Sequence, residues 1–270
     1  KIHSIGLSDS FNLCGALEFS EEISKTGTQP IISSQINFKF KNSTGKIPIF
    51  AKSEKGFRNL TKLSSKSYLD VEKESKPYCT IDDLISNNED LIILSGGIDS
   101  LFSNLIRNNH IKYLEDIVSK LQKAFSDRFY FEIQRHDDNG EKRIENIFID
   151  LSNKFKLPLI ASQEVFYINK DMYEAHDALL CIGEKTYVEE KNRKRFSNQH
   201  YLKTSNELNK LYADLPEALE NNYNFPYRFN FKLKKSEPNL PSIKISNNLT
   251  EKEELLSLSK SGLDKRLKNF

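Results

Sequence analysis

Four polar side chains, Asp9, Gln35, His136 and Glu164, each follow an apolar run of strand character, and they are the residues most able to do chemistry together. In a closed parallel barrel the ends of the strands converge on one face, so four such positions could share a site. Asp and His suit a metal ion there, whereas Gln is a poor ligand for zinc. No HxH and no HExxH occurs among His3, His110, His136, His176 and His200, so any metal site has to be assembled from separate elements. His176 lies on an amphipathic helix and reads as a hydrogen-bonded structural histidine.

Other chemistries find weaker support. The turn Ser95–Ser100, SGGIDS, follows the apolar run Leu91–Leu94 and precedes a helix-like stretch. A glycine-rich turn in that position offers backbone N–H groups to a phosphate, and it matches the SGGxDS loop of ATP pyrophosphatases. Asn104, Asn108 and Asn109 interrupt the helix that such a loop needs, and two adjacent glycines also make an ordinary tight turn. No GxSxG or DxD is present, and Cys14, Cys79 and Cys181 sit in neutral or apolar surroundings that do not activate a thiol.

The elements that position these residues alternate. Strand character at 2–7, 30–38, 46–51, 90–94, 129–133 and from Leu157 is interleaved with helical periodicity at 15–25, 55–68, 111–125 and 144–155. This predicts an α/β fold with a mainly parallel sheet, open or barrel-shaped. From Asp171 a helix places Met172, Ala175, Ala178, Leu179 and Ile182 at spacings of three and four, ending near Gly183, and reads as a helix packed on the core. Short helices are expected at 206–212 and 216–224, then a connector from Pro226 through Leu240 and Pro241, then a helix at 250–267.

With 40 Lys and Arg against 38 Asp and Glu in 270 residues, the net charge of +2 exerts no global pull on nucleic acid. Local basic clusters at 191–195 and 228–235 read first as solvated faces. Three widely spaced cysteines disfavour a disulfide framework and a zinc site. No apolar run spans a bilayer and no leader opens the chain, so the expectation is a cytoplasmic protein with no membrane contact. Lys1 leads abruptly into strand, which predicts a fragment lacking an upstream strand and helix.

Several segments in collinear order carry a resemblance. SDSFNLCGALEF from Ser8, PIFAKSEKGFRNLTKLSSKSYL from Pro48, LIILSGG from Leu91, FYFEIQRH from Phe129, LPLIASQEVFYINKDMYEAHDALLCIGEKTYV from Leu157 and FSNQHYLKTSNELNKLYADLPEALENN from Phe196 resemble the bacterial replicative DNA polymerase III alpha subunits, in their amino-terminal polymerase and histidinol phosphatase (PHP) domain. The resemblance implies a distorted seven-stranded β/α barrel over 1–225, its first strand missing from this fragment, and a connector with the start of the polymerase region over 226–270. It also implies an SGG turn that is not an ATP loop.

Family members that keep the metal site use histidines and carboxylates at strand ends for a trinuclear centre. Against that pattern Asp9 is kept and the following histidine is Ser10, the next acidic position is Gln35, His136 is retained, and Glu164 and Phe166 stand for an aspartate and a histidine. No metal, cofactor or hydrolase activity is therefore expected in the fragment, with Asp9, Gln35, His136 and Glu164 as a degenerate site. The implied parent is a DNA-directed DNA polymerase that uses Mg2+, DNA and deoxynucleotides through aspartates beyond Phe270. The fragment's own role would be structural, docking a proofreading exonuclease and other replisome subunits. The alternatives are an active metal-dependent phosphoesterase or 3'-5' exonuclease using His136, Asp9 and Glu164, and an ATP pyrophosphatase built on Ser95–Ser100.

Overall fold

The computed structural model describes residues 2–71, 76–238, 245 and 249–268; Lys1, Leu240 and Pro241 lie outside them. The chain divides into two compact units, Lys1–Lys234 and Lys235–Phe270.

The first unit runs β1 (Ser4–Ser10), α1 (Ala16–Lys25), β2 (Gln29–Phe40), β3 (Ser43–Ala51), α2 (Glu54–Leu69), β4 (Cys79–Thr80), α3 (Ile81–Ser86), β5 (Leu91–Leu94), α4 (Leu101–Arg107), α5 (Ile111–Phe125), β6 (Phe129–Gln134), α6 (Glu141–Phe155), β7 (Leu159–Ser162), α7 (Tyr173–Glu184), α8 (Ser205–Leu211) and α9 (Pro216–Asn224). The second unit contributes α10 (Glu251–Leu267), opened by a capping box in which Thr250 and Glu253 exchange side-chain bonds with each other's backbone N–H. The domain boundary expected at Phe225 falls inside the first unit, because Phe225 and Phe229 are buried in its packing.

The sheet has seven strands in the order β1-β2-β3-β5-β6-β7, with β4 extending the β2 edge beyond β1. Its pairs are parallel except that β3 is antiparallel to both β2 and β5. The reason is local: only two residues separate Phe40 from Ser43, and so short a link can close only a hairpin, whereas a parallel crossover needs a dozen residues or more.

Side-chain alternation sorts the strands into two faces. One face packs under the helices in a large core, to which α5 gives Leu114, Ile117, Val118, Leu121 and Phe125, all fully buried. At roughly 2 kcal/mol for each, that stripe is worth on the order of 10 kcal/mol before chain entropy is charged against it.

On the other face Ile31, Phe50, Ile92, Leu94, Tyr130 and Ile160, drawn from five strands, gather around Phe225 and Phe229. Phe225 reaches both Phe50 on β3, at 5.3 Å, and Tyr130 on β6, at 5.6 Å. The sheet thus curls into a half-barrel with this cluster in its concavity. The segment 216–229 spans the open side: Asn221 and Asn222 donate to the outward carbonyls of Leu159 and Ala161 on β7, while the Gln29 amide of β2 donates to Pro226 O and Phe229 O. These bonds satisfy an edge strand that would otherwise present free carbonyls.

Candidate functional site

Alternation along β1 separates two of the four expected residues. Asp9 pairs with Ser34 and Ser10 pairs with Gln35, so Asp9 and Gln35 face opposite sides of the sheet. The Asp9 carboxylate lies beside Gly15, where a Cβ would be 3.4 Å from Oδ2, on the side covered by α1. Gln35 lies within β2, and its amide donates to Ser8 O. Neither is a loop residue past a strand end.

His136 and Glu164 do meet, though through different groups from those expected. His136 follows β6, is buried, and accepts the Glu164 backbone N–H at Nε2, 3.0 Å away. Its Nδ1 faces Glu141 Oε1 at 3.0 Å, so Nδ1 carries the proton and Nε2 offers the lone pair. Glu141 Oε2 also accepts the His136 and Asp138 backbone N–H groups.

Stacked on His136, at 4.1 Å between centroids and 6° between planes, is His200, which sequence reasoning did not place in the site. His200 faces an acceptor at each nitrogen: Glu164 O at 2.9 Å from Nδ1 and Asp138 Oδ2 at 2.9 Å from Nε2. Burial pushes the Asp138 carboxyl up, but the bonds from His200 and from the Ser197 N–H outweigh it and hold the group below the usual carboxylate range. Phe166 covers the other face of His200, at 4.8 Å and 20°, and His176 stacks on Phe166, at 5.0 Å and 8°. A column of four rings results.

A second polar group lies on the concave face. Glu132 and Gln134 share the face of Ile160 and Ser162 through the β6–β7 register. Glu132 Oε1 accepts from the Ser162 hydroxyl and, at 3.0 Å, from the Gln134 amide. Oε2 of Glu132 and Oγ of Ser8 are the two buried side-chain atoms without a partner among the described residues. Burial raises the Glu132 carboxyl, the Ser162 and Gln134 bonds oppose the rise, and the Glu164 charge adds to it. Strand alternation in FYFEIQ is the signal that could have found Glu132.

These residues do not fit the trinuclear centre implied by the resemblance. Every imidazole nitrogen of His136 and His200 is engaged, Asp138 and Glu141 are tied to the same rings and to backbone N–H groups, and Phe166 offers no donor atom. Among the described residues no three His, Cys, Asp or Glu side chains are grouped to hold a metal ion.

The SGGIDS turn is packed inward. Ser95 accepts the Glu132 N–H, Ser100 caps α4, and both are buried. Gly96 has φ +78, and a Cβ on Gly97 would sit 2.0 Å from Gln134 Oε1, so the glycines serve a turn pressed against β6. Neither serine is turned outward to a phosphate. The basic clusters are likewise partly engaged within the unit: Arg193 grips buried Asp177 at 2.5 and 2.6 Å, and Arg228 bonds Asp127 and Tyr130.

The helix α7 departs from expectation most. Leu179 is 63 % and Ile182 76 % exposed, and Met172 and Ala175 of the same stripe also face solvent; Asp177 and Cys181 are the buried residues. The inward face carries Asp177, which bonds Arg193, together with Cys181 and the half-buried Tyr173, His176 and Leu180, and Tyr173 donates to Phe196 O. An apolar stripe beginning at Met172 predicts a helix here without saying which way it turns.

Comparison with known proteins gives the context for this geometry. The family model described as the PHP domain matches residues 1–136. The chain is 35 % identical over 268 residues to the DNA polymerase III subunit alpha of Rickettsia bellii (strain RML369-C), covering 99 % of this chain and 23 % of that protein. It is 33 % identical over 278 residues to the corresponding subunit of Caulobacter vibrioides (strain NA1000 / CB15N), covering 100 % and 24 %. For that of Haemophilus influenzae (strain ATCC 51907 / DSM 11121 / KW20 / Rd) the identity is 30 % over 268 residues, covering 98 % and 23 %. The chain therefore spans about a quarter of the length of the curated relatives it matches.

Proposed function

Because the chain belongs to the PHP domain family, we propose that it is the PHP module of a replicative DNA polymerase of the DNA polymerase III alpha type, acting as a structural and docking domain and not as a hydrolase. Template-directed nucleotidyl transfer, with Mg2+, DNA and deoxynucleotides, belongs on this reading to the rest of a longer protein. The relatives' names and the extent of the match support that assignment.

The observation that carries the docking role is the outward apolar stripe of α7. Leu179 and Ile182 of α7, and Tyr187 and Val188 just after its end, are more than half exposed, and a large exposed apolar patch on a folded unit marks a contact site. Its partner would be another part of the same protein or another replisome subunit, a proofreading exonuclease among them. No helix among the described residues is long and apolar enough to cross a membrane, which suits a cytoplasmic replication protein.

Hydrogen exchange tests the docking role. Residues 172–188 should exchange more slowly in the full-length protein, alone or with its partner subunits, than in the 270-residue chain; equal exchange in every state refutes it. A phosphodiester assay with Mn2+ or Zn2+ tests the rest. The expected result is no turnover by the chain, and turnover abolished by His136→Ala would establish the phosphoesterase instead.

A further inference from the structure

We infer that the Glu164 backbone, bonded through its N–H to His136 and through its C=O to the stacked ring of His200, is a metal-independent latch that holds the loops after β6 and β7 to the segment 196–203. This goes beyond the docking role and does not depend on it: the latch concerns what fixes the loops, whatever binds α7.

The Glu164 backbone presents its N–H to His136 Nε2 and its C=O to His200 Nδ1, at 3.0 and 2.9 Å. The two peptide units that flank the Glu164 Cα are thus bonded one to each of two parallel rings whose centroids are 4.1 Å apart. That geometry sets the protons. The Glu164 N–H can bond only to a bare Nε2 on His136, which puts that ring's proton on Nδ1, toward Glu141. The Glu164 carbonyl and the Asp138 carboxylate can only accept, so His200 donates from both nitrogens. No in-plane lone pair is left on either ring for a cation.

Three loops are joined by this unit. Asp138 and Glu141 follow β6; Glu164 and Phe166 follow β7; Ser197 and His200 come from the return segment. Ser197 donates its hydroxyl to His136 O and its N–H to Asp138 Oδ1, and Phe166 N–H donates to His200 O. A metal ion cross-links strand ends by collecting side chains from several loops; here the same ends are joined by hydrogen bonds and ring stacking. Phe166 completes the unit by covering the His200 face away from His136.

Nitrogen-15 NMR of the imidazoles in the 270-residue chain, after dialysis against chelator, tests the inference. His136→Gln and His200→Gln serve only to assign signals. The expected spectrum shows His136 locked with its proton on Nδ1, the form that free neutral histidine populates less, and both nitrogens of His200 protonated. One equivalent of Zn2+ or Mn2+ should leave these signals in place.

A His136 ring protonated on Nε2, or averaging between tautomers, overturns the latch. So does a shift or paramagnetic loss of the Nε2 signal on adding metal. Phe166→Leu gives a second reading: removing the ring current should move the His200 carbon-bound protons, and unchanged shifts refute the stack.

Discussion

Glu132→Gln exchanges one carboxyl oxygen for an amide nitrogen at nearly constant volume, and it should abolish one specific part of the pH dependence of stability. Glu132 is 7 % exposed, and its Oε2 has no partner among the described residues. Burial holds its carboxyl above the ordinary value of 4.5, against the opposing bonds from Ser162 and Gln134 and with the Glu164 charge adding to the rise. The folded protein therefore binds this proton more tightly than the unfolded chain does. The stability it contributes is complete below about pH 4.5 and is lost as pH rises through the folded value.

One proton gives a slope of at most about 1.4 kcal/mol per pH unit wherever the folded chain holds it and the unfolded chain has lost it. The amide of the E132Q variant has nothing to titrate, and its oxygen can still accept from Ser162 and Gln134. The stability of E132Q relative to the native chain should therefore rise with pH over this range. Urea unfolding followed by circular dichroism at pH 5, 6, 7 and 8 measures the difference directly. Parallel profiles for the two proteins would show that Glu132 ionises without penalty and refute the reasoning.

Leu179→Glu combined with Ile182→Glu should change unfolding stability by no more than about 0.5 kcal/mol per site, as for other surface positions, while lowering binding of an apolar dye to the chain; a loss of several kcal/mol would mean that the stripe is core. Gly56→Ala should destabilise by about 1–3 kcal/mol although it lies in α2, where the exchange normally helps, because the new Cβ would meet Asp90 O at 2.1 Å; thermal melting checks it, and a raised midpoint refutes it. Iodoacetamide at pH 8 should label Cys14 alone, since Cys79 and Cys181 are buried and burial pushes the Cys79 thiol up to about 12; mass spectrometry of the native protein would detect a second adduct. Glu207→Gln should weaken α8 at neutral pH and not below pH 2, because bonds from the Thr204 backbone, Tyr201 and Thr204 side chain hold the Glu207 carboxyl down at about 2. That contribution is present above about pH 4.5 and lost as pH falls toward 2, and helical circular dichroism across the range measures it.

The long helices were legible in the sequence: α5 and α6 lie where their apolar spacing puts them, and α2 and α10 lie where helices were expected. β4 and α3 were not, because a two-residue strand and a six-residue helix carry too little pattern to register. The direction of β3 follows from the two-residue link after Phe40, a signal that was present and outweighed by the alternation of strands with helices elsewhere. In the site, His136 and Glu164 were legible as neighbours because each follows a buried strand. His200 was not, since its partner Asp138 is 62 residues away and no local pattern links them. Asp9 was placed by its position near a strand end, while period two assigns its side chain to the other face of the sheet from Gln35.

The inverted helix α7 and the latch bear on one another physically. Met172, Leu179, Ile182, Tyr187 and Val188, with Ile168 before them, leave six large apolar side chains partly in water. Burying each fully is worth about 1.5–3 kcal/mol, so on the order of 10 kcal/mol of transfer free energy is unrealised within this unit. Rotating α7 to bury the share that its own Leu179 and Ile182 carry would drive Asp177 into solvent, break its two bonds with Arg193 and carry His176 off Phe166. The ring column therefore opposes the rotation that hydrophobic burial would favour, because His176 stands on Phe166, Phe166 on His200 and His200 on His136. A surface held outward against that driving force can recover its free energy only from another surface, and fixed loops lower the ordering cost of such a contact. Phe166→Ala should accordingly loosen α7 as well as the His200 ring. Faster amide exchange across 173–184 in that variant is the expected result, and exchange unchanged from the native chain would separate the helix from the latch.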